Sequence, residues 1–155
     1  MHIIAAKAVA FYEAKQPEFA EYQQAVLENA RILAEELMAQ GLKLVTGGTD
    51  KHIVLVDLTP TGISGKIAES ALGQVNITVN KNGIPFDPTP PNITSGIRLG
   101  TPAITTRGFG PGEVRRIAKL MTKVLGHLDD KHIYQEVRDE VAEMNHRFPT
   151  PGIDQ

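Results

Sequence analysis

A single arginine lies between two glycines in residues 96–100, Gly-Ile-Arg-Leu-Gly, a segment with the alternation of a β-strand. On a strand, Ile97 and Leu99 point to one face and Arg98 to the other, where the two glycines leave room for a ligand. A guanidinium matches a carboxylate or a phosphate with two parallel hydrogen bonds. The segment therefore predicts a small-anion site at Arg98. The alternative is an arginine that pairs with an acidic side chain elsewhere in the protein.

The segment before this strand is rich in proline. Residues 80–92 contain four prolines and show neither a helical nor a strand period. Loops longer than about 12 residues in a compact domain are usually either binding loops or disordered. Because prolines favour a stiff, extended course, we expect a binding loop that leads into the Arg98 strand.

Other segments carry weaker signals. Residues 108–112 (GFGPG) precede a helix and could hold a phosphate, but they lack the spacing of a Walker loop or a dinucleotide fingerprint, so a turn is favoured. Gly47 and Gly48 also favour a turn over a ligand cradle. No serine has the Gly-x-Ser-x-Gly frame of a hydrolase. The histidines, at positions 2, 52, 127, 132 and 146, show no metal-ligand spacing, and we expect no metal.

Composition limits the class of protein. The 155 residues suit one domain, and 41% hydrophobic with 22% charged residues is a globular composition. A net charge of −2 without a basic cluster argues against nucleic acid as a partner. No apolar run reaches the roughly 18 residues of a membrane span. The N-terminus lacks the basic region of a signal peptide, and the absence of cysteine is compatible with the cytoplasm, where we expect the protein.

The first element is unusual because its apolar residues lie all round the helical wheel. Residues 3–11 predict a helix that is buried on several sides and therefore needs neighbours. The helix starts almost at residue 1 without a capping side chain. Two interpretations stay open: a fragment cut close to this element, or a frayed terminal helix of an intact small protein.

The remaining elements predict an α+β fold. A long amphipathic helix begins at Pro17 and ends near Gly41, and two β-rich runs joined by residues 47–51 suit an antiparallel hairpin. Several helices with a small, mostly antiparallel sheet fit better than a doubly wound fold. The other predicted helices are 64–74, with Ser64 as its N-terminal cap and Ile67 inward, 113–125 and 131–148. The predicted strands are 42–46, 52–58, 77–79 and 97–99.

Four segments resemble serine hydroxymethyltransferase in order and spacing: 47–52 (GGTDKH), 77–82 (ITVNKN), 94–103 (TSGIRLGTPA) and 106–109 (TRGF). The resemblance extends from residues 7–11 (KAVAF) to 147–149 (RFP), but it covers only the C-terminal third or so of that family's enzyme. It implies the C-terminal small domain of a fold-type I pyridoxal-phosphate enzyme, with residues 1–16 as an interdomain helix and 17–155 as the small domain.

The resemblance implies specific roles for a few residues. Arg98, in the Ser-Gly-Ile-Arg motif, would hold the α-carboxylate of serine or glycine. Asn82, Pro90, Pro91 and Asn92 would belong to the loop that contacts folate. The last three depart from the family's usual Ser-Pro-Phe, so the apolar contact of an aromatic residue at position 92 is lost.

The resemblance also implies partners outside this chain. The family moves a one-carbon unit between serine and tetrahydrofolate with pyridoxal phosphate, but no lysine here has the Thr-Thr-Thr-His-Lys context of the Schiff-base lysine. That lysine and the main cofactor contacts belong to an N-terminal large domain, so we expect this chain to be inactive by itself. A homo-oligomer is expected because the family's active site is shared between subunits.

Two further hypotheses belong to other classes of protein. One is a freestanding module that binds an amino acid or folate at Arg98. The other is a structural or regulatory domain that docks through the helix of residues 3–11.

Overall fold

The computed structural model describes residues 1–152, and in this range it contains six α-helices and four β-strands. The helices are α1 (His2–Ala14), α2 (Pro17–Ala39), α3 (Gly65–Gln74), α4 (Pro102–Thr106), α5 (Pro111–Gly126) and α6 (Lys131–Arg147). The strands are β1 (Lys43–Leu44), β2 (Ile53–Asp57), β3 (Asn80–Asn82) and β4 (Gly96–Gly100).

The strands form one antiparallel sheet in the order β1-β2-β4-β3. The predicted hairpin between β1 and β2 is present, and β4 lies in the middle of the sheet between β2 and β3. The predicted α+β class with a small antiparallel sheet is therefore confirmed. A central position fixes β4 by hydrogen-bond ladders on both sides.

The core lies on one face of this sheet. Ile97 and Leu99 of β4 are buried there beside Val54 and Val56 of β2. Helices α2 and α3 pack on that face, α5 packs on α2 and α3, and α6 packs on α5. The alternation predicted for β4 is confirmed, because Ile97 and Leu99 enter the core while Arg98 is exposed on the opposite face.

The strand predicted at residues 77–79 is wrong, because the chain pairs three residues later, at Asn80–Asn82. Val79 is instead a core residue that precedes the strand. An edge strand borders solvent, so it accepts the polar sequence Asn-Lys-Asn. Lys81 is further held by Glu69 of α3, whose carboxylate accepts from the Lys81 backbone N–H at 3.0 Å and from its ammonium group at 3.3 Å.

Helix α3 begins as predicted but does not face the core as predicted. The Ser64 hydroxyl caps it by accepting from the Ile67 N–H at 3.3 Å. Ile67, expected inward, is 49% exposed, and the buried positions are Gly65, Ala68, Ala71 and Leu72. The first turn is pinned to the end of the loop before β4, because the N–H groups of Gly65 and Lys66 donate to the carbonyls of Thr94 and Ile93. This anchoring sets the rotation of the helix.

Helix α1 contacts α2 but lacks the burial on several sides that its composition predicts. The helix is present, yet none of its residues is buried among residues 1–152. Ile3, Ile4, Val9 and Phe11 are each more than half exposed. The described chain therefore leaves an apolar helix uncovered.

We expect Gly65→Ala to destabilise the protein by about 1–3 kcal/mol, because the added methyl group overlaps the Thr94 hydroxyl and the Gly96 carbonyl. The matched control is Gly73→Ala in the same helix, where no atom lies within 4 Å of the new methyl group. That change should stabilise the protein by about 0.5–1 kcal/mol. Urea unfolding measures both, and equal effects at the two positions would contradict the close approach of α3 to β4.

Candidate functional site

Arg98 lies in the middle of the exposed face of the sheet. It is paired with Leu55 of β2 on one side and with Asn80 of β3 on the other. Among residues 1–152 its guanidinium makes no hydrogen bond and no ion pair. The alternative, an acidic partner for Arg98, is therefore not found within the described residues. Asp57, an acidic residue on the same face, is already paired with Lys43 at 2.8 Å. The guanidinium is therefore free to bind an anion.

An open cleft of about 390 Å³ surrounds this arginine. Gly100 lines the cleft, as the prediction of room beside Arg98 requires. Gly96 does not line the cleft, because it is buried. A side chain at Gly96 would lie 2.6 Å from the Val56 carbonyl oxygen, so that glycine serves strand packing. The other residues that line the cleft are His52, Ile53, Thr78, Val79, Asn80 and Leu99.

Asn82 shares the exposed face with Arg98. It lies opposite Gly96 in the ladder, whereas Asn80 lies opposite Arg98, so Asn82 and Arg98 are diagonal neighbours. Such neighbours have side chains roughly 7–8 Å apart, close enough for both to contact one ligand. The Asn82 side-chain amide donates to the Gly83 carbonyl at 2.7 Å, and its side-chain oxygen remains available.

The proline-rich segment is an ordered hairpin connection, residues 83–95, between the neighbouring strands β3 and β4. Pro90, Pro91 and Asn92 are exposed at a turn in which the Pro90 carbonyl accepts from the N–H groups of Ile93 and Thr94 at 2.9 and 3.0 Å. Asn82 is therefore a neighbour of Arg98 on the sheet. Pro90, Pro91 and Asn92 lie in the connection that follows, and no hydrogen bond joins them to Asn82 in the described residues.

The Asp87 carboxylate accepts most of the hydrogen bonds that side chains of this loop make within it. Burial by itself would raise the pKa of Asp87, but hydrogen bonds from Ser95 and Thr89 outweigh that effect and hold the pKa well below its ordinary value. The group therefore stays an anion at every physiological pH.

His52 and Asn80 were not singled out from the sequence as partners of Arg98. In the sequence, His52 belongs to the segment 47–52 and to the predicted strand 52–58; in the structure it precedes β2 and borders the Arg98 cleft. The pairing of β2 with β4, which puts Ile53 opposite Gly100, brings it there. Asn80 faces Arg98 across the ladder, and a prediction of the strand at 80–82 in place of 77–79 would have found it.

The weaker glycine-rich candidate is a turn. The Gly110 N–H donates to the Glu113 carboxylate at 3.2 Å, so an acidic side chain already occupies the start of α5. Arg107, just before it, donates to the carbonyls of Phe148 and Asn145 at the end of α6. These contacts make residues 107–113 a structural junction.

Metal binding and membrane spanning concern residues 1–152 as a whole. No three histidine, aspartate or glutamate side chains in that range gather where they could hold a metal ion. None of the helices in that range combines the length and apolarity needed to cross a membrane.

Comparison with known families decides the assignment. The family model for serine hydroxymethyltransferase matches residues 1–121, which is more than three quarters of the chain. The chain belongs to the serine hydroxymethyltransferase family. The match includes Arg98, Asn82 and the whole of residues 83–95, and it ends within α5. Helix α6 lies beyond the match but completes the same core through Val137, Val141 and Met144.

The serine hydroxymethyltransferase family is pyridoxal-phosphate dependent and uses folate as a co-substrate. A cofactor bound through a Schiff base needs a lysine at the reacting centre. The residues that line the Arg98 cleft include no lysine. This cleft therefore does not fit covalent attachment of the cofactor, although it fits a carboxylate.

Proposed function

We propose that this chain is the C-terminal small domain of a serine hydroxymethyltransferase, which interconverts serine and glycine with transfer of a one-carbon unit to tetrahydrofolate. In this proposal residues 17–155 are the small domain, the last three of them beyond the described residues, and residues 1–16 lie between the two domains. The observation that carries the proposal is an arginine without any partner in the described residues, on a rigid central strand, in an open cleft.

Arg98 is proposed to bind the α-carboxylate of serine or glycine. Its flat guanidinium fork makes two parallel hydrogen bonds to a carboxylate, and this fixes the orientation of the amino acid as well as its position. Because β4 is held by ladders on both sides, the base of the side chain is fixed before the substrate arrives. A fixed backbone adds no ordering cost of its own when the substrate binds, so the entropy cost is confined to the side chain.

Asn82 is proposed to contact tetrahydrofolate, together with Pro90, Pro91 and Asn92. Because Asn82 is diagonal to Arg98, the two proposed contacts would put the two substrates side by side on one face of the sheet. Side-by-side binding suits the transfer of one carbon atom between them.

The N-terminal large domain is proposed as the partner that covers α1 and this face. Helix α1 is apolar all round and uncovered, and Ile53 on the exposed sheet face is 38% exposed. A helix with that composition needs neighbours on several sides. The large domain would hold pyridoxal phosphate, while the residues of this chain bind and orient the two substrates. A cytoplasmic homo-oligomer is part of the same proposal.

The test of this function is Asn82→Ala in the complete enzyme, in which the large domain precedes this chain. We expect KM for tetrahydrofolate to rise about tenfold or more, with glycine affinity nearly unchanged, because the lost side chain belongs to the folate side of the site. Steady-state kinetics and glycine titration measure the two effects. An unchanged KM for tetrahydrofolate would overturn the folate assignment of Asn82.

A freestanding binding module is the second candidate. It is favoured by one observation: three neighbouring strands of one folded sheet, β2, β4 and β3, supply Arg98 and most of its surroundings. Glycine binding by the 155-residue chain alone would support this candidate, and calorimetry measures it. Gene sequence upstream of Met1 that encodes a large domain in frame would support the first.

A further inference from the structure

The Asp87 carboxylate accepts five hydrogen bonds within residues 83–95. Its Oδ1 atom accepts from the Thr89 N–H at 2.9 Å, the Thr89 hydroxyl at 2.8 Å and the Ser95 hydroxyl at 2.7 Å. Its Oδ2 atom accepts from the N–H groups of Ile84 and Ser95 at 3.1 and 2.9 Å. One side chain thus joins the beginning, the middle and the end of the loop.

The contact with Ser95 also joins the loop to the strand that carries Arg98. Ser95 directly precedes β4, and it is buried. The other internal contacts of the loop are few: Ile84 with the Asp87 backbone, the pair of hydroxyls on Thr89 and Ser95, and the turn at Pro90. The end of the loop is also held from outside, because the N–H groups of α3 and of Leu58 donate to the carbonyls of residues 93–95. Asp87 is therefore the group that ties the first part of the loop, residues 84–89, to this anchored end and so to the Arg98 strand.

Only a carboxylate satisfies these five partners. The three backbone N–H groups can only donate, so both oxygens at position 87 must accept. An amide of the same shape has one accepting oxygen, and its NH2 group would face a backbone donor. Asparagine at this position therefore keeps the volume of the side chain but loses the hydrogen bonds that one of the two carboxylate oxygens accepts.

We propose that Asp87 is a positioning residue that holds the folate-binding loop in a fixed relation to the carboxylate-binding strand. The proposal rests on the proposed function, since it assigns a task to the loop that is proposed to bind tetrahydrofolate. Asp87 does not itself contact substrate. It acts through Thr89 and Ser95 on the placement of Pro90, Pro91 and Asn92.

The experiment compares Asp87→Asn with the wild type in the complete, pyridoxal-phosphate-loaded enzyme. We expect KM for tetrahydrofolate to rise about tenfold or more, which corresponds to about 1.4 kcal/mol. Glycine affinity should change by no more than about twofold, because β4 keeps both of its ladders. The matched control is Asp129→Asn, which removes the same charge from an exposed aspartate between α5 and α6 whose carboxylate has no hydrogen-bond partner among residues 1–152.

A second, milder variant tests the same cluster in case Asp87→Asn fails to fold. Thr89→Val keeps the carboxylate and the Thr89 N–H contact but removes the hydroxyl, which contacts Asp87 and Ser95. We therefore expect a smaller rise in KM for tetrahydrofolate, about threefold. Hydrogen exchange on the 155-residue chain adds a measurement that does not depend on activity. The amides of Ile84, Thr89 and Ser95 should exchange faster in Asp87→Asn, whereas those of β4 should not.

The outcomes separate this inference from the proposed function. An unchanged KM for tetrahydrofolate in Asp87→Asn overturns the role of Asp87, and Asn82→Ala then tells whether the folate assignment fails as well. An equal loss of glycine and tetrahydrofolate binding also overturns it, because that result indicates a general structural defect. Unchanged exchange at Ile84, Thr89 and Ser95 would show that the carboxylate does not hold the loop.

Discussion

Replacing Arg98 with lysine in the complete enzyme is expected to weaken serine and glycine binding by a factor of roughly 30 to several thousand. The range corresponds to the about 2–5 kcal/mol that follows from spoiling one partner of a covered charge pair. A lysine ammonium keeps the charge but loses the planar fork, so it cannot make two parallel hydrogen bonds to one carboxylate. The cofactor should stay bound, because Arg98 is proposed to hold the amino acid alone.

The fold should tolerate this substitution. Arg98 is exposed, and its guanidinium makes no hydrogen bond or ion pair in the described residues, so nothing in the core depends on that group. Urea unfolding should therefore give nearly the same free energy for Arg98→Lys and the wild type, within about 0.5 kcal/mol.

Glycine titration decides the outcome. Arg115→Lys is the matched control, since Arg115 is another exposed arginine on a regular element and lies on α5, away from the cleft. Wild-type affinity in Arg98→Lys would mean that Arg98 is not the carboxylate site.

The second large effect concerns the chain by itself. We expect the 155-residue chain, mixed with pyridoxal phosphate, tetrahydrofolate and serine, to form no glycine. Its sequence lacks the Thr-Thr-Thr-His-Lys motif, and its arginine cleft contains no lysine. Adding the separately produced large domain should restore the reaction, because the two domains together supply all the proposed contacts.

Two measurements check this prediction. Borohydride reduction followed by mass spectrometry should find no stoichiometric pyridoxyl group on a single lysine of the isolated chain. Reconstitution should fail when Val9 and Phe11 of α1 are both changed to aspartate, since each contributes roughly 1.5–3 kcal/mol when fully buried. Glycine formation by the isolated chain would contradict the proposal that the large domain holds the cofactor. Reconstitution that is unaffected by the changes at Val9 and Phe11 would contradict the proposal that α1 packs against the large domain.

The sequence by itself determined which residue types lie on which face of several elements. The alternation in residues 96–100 predicted a strand with Arg98 on the face opposite Ile97 and Leu99, and β4 has that arrangement. The helices α1, α2, α5 and α6 were predicted to within a few residues, and Ser64 was predicted as the cap of α3. These features depend on local periodicity and capping, which neighbouring residues settle among themselves.

Only the tertiary structure decided how these elements meet. The strand at Asn80–Asn82 is polar and carries no local β signal, so its existence depends on the ladder with β4 and on Glu69, which lies 12 residues from Lys81 in the chain. Ile67 is exposed because α3 is anchored by its first turn to Thr94 and Ile93. Asp87 looked like one polar residue in a proline-rich stretch until the fold brought Ile84, Thr89 and Ser95 around it. Position 82 is diagonal to Arg98 for the same reason: strand register is fixed by hydrogen bonds between segments distant in sequence, and periodicity within one segment contains no information about them.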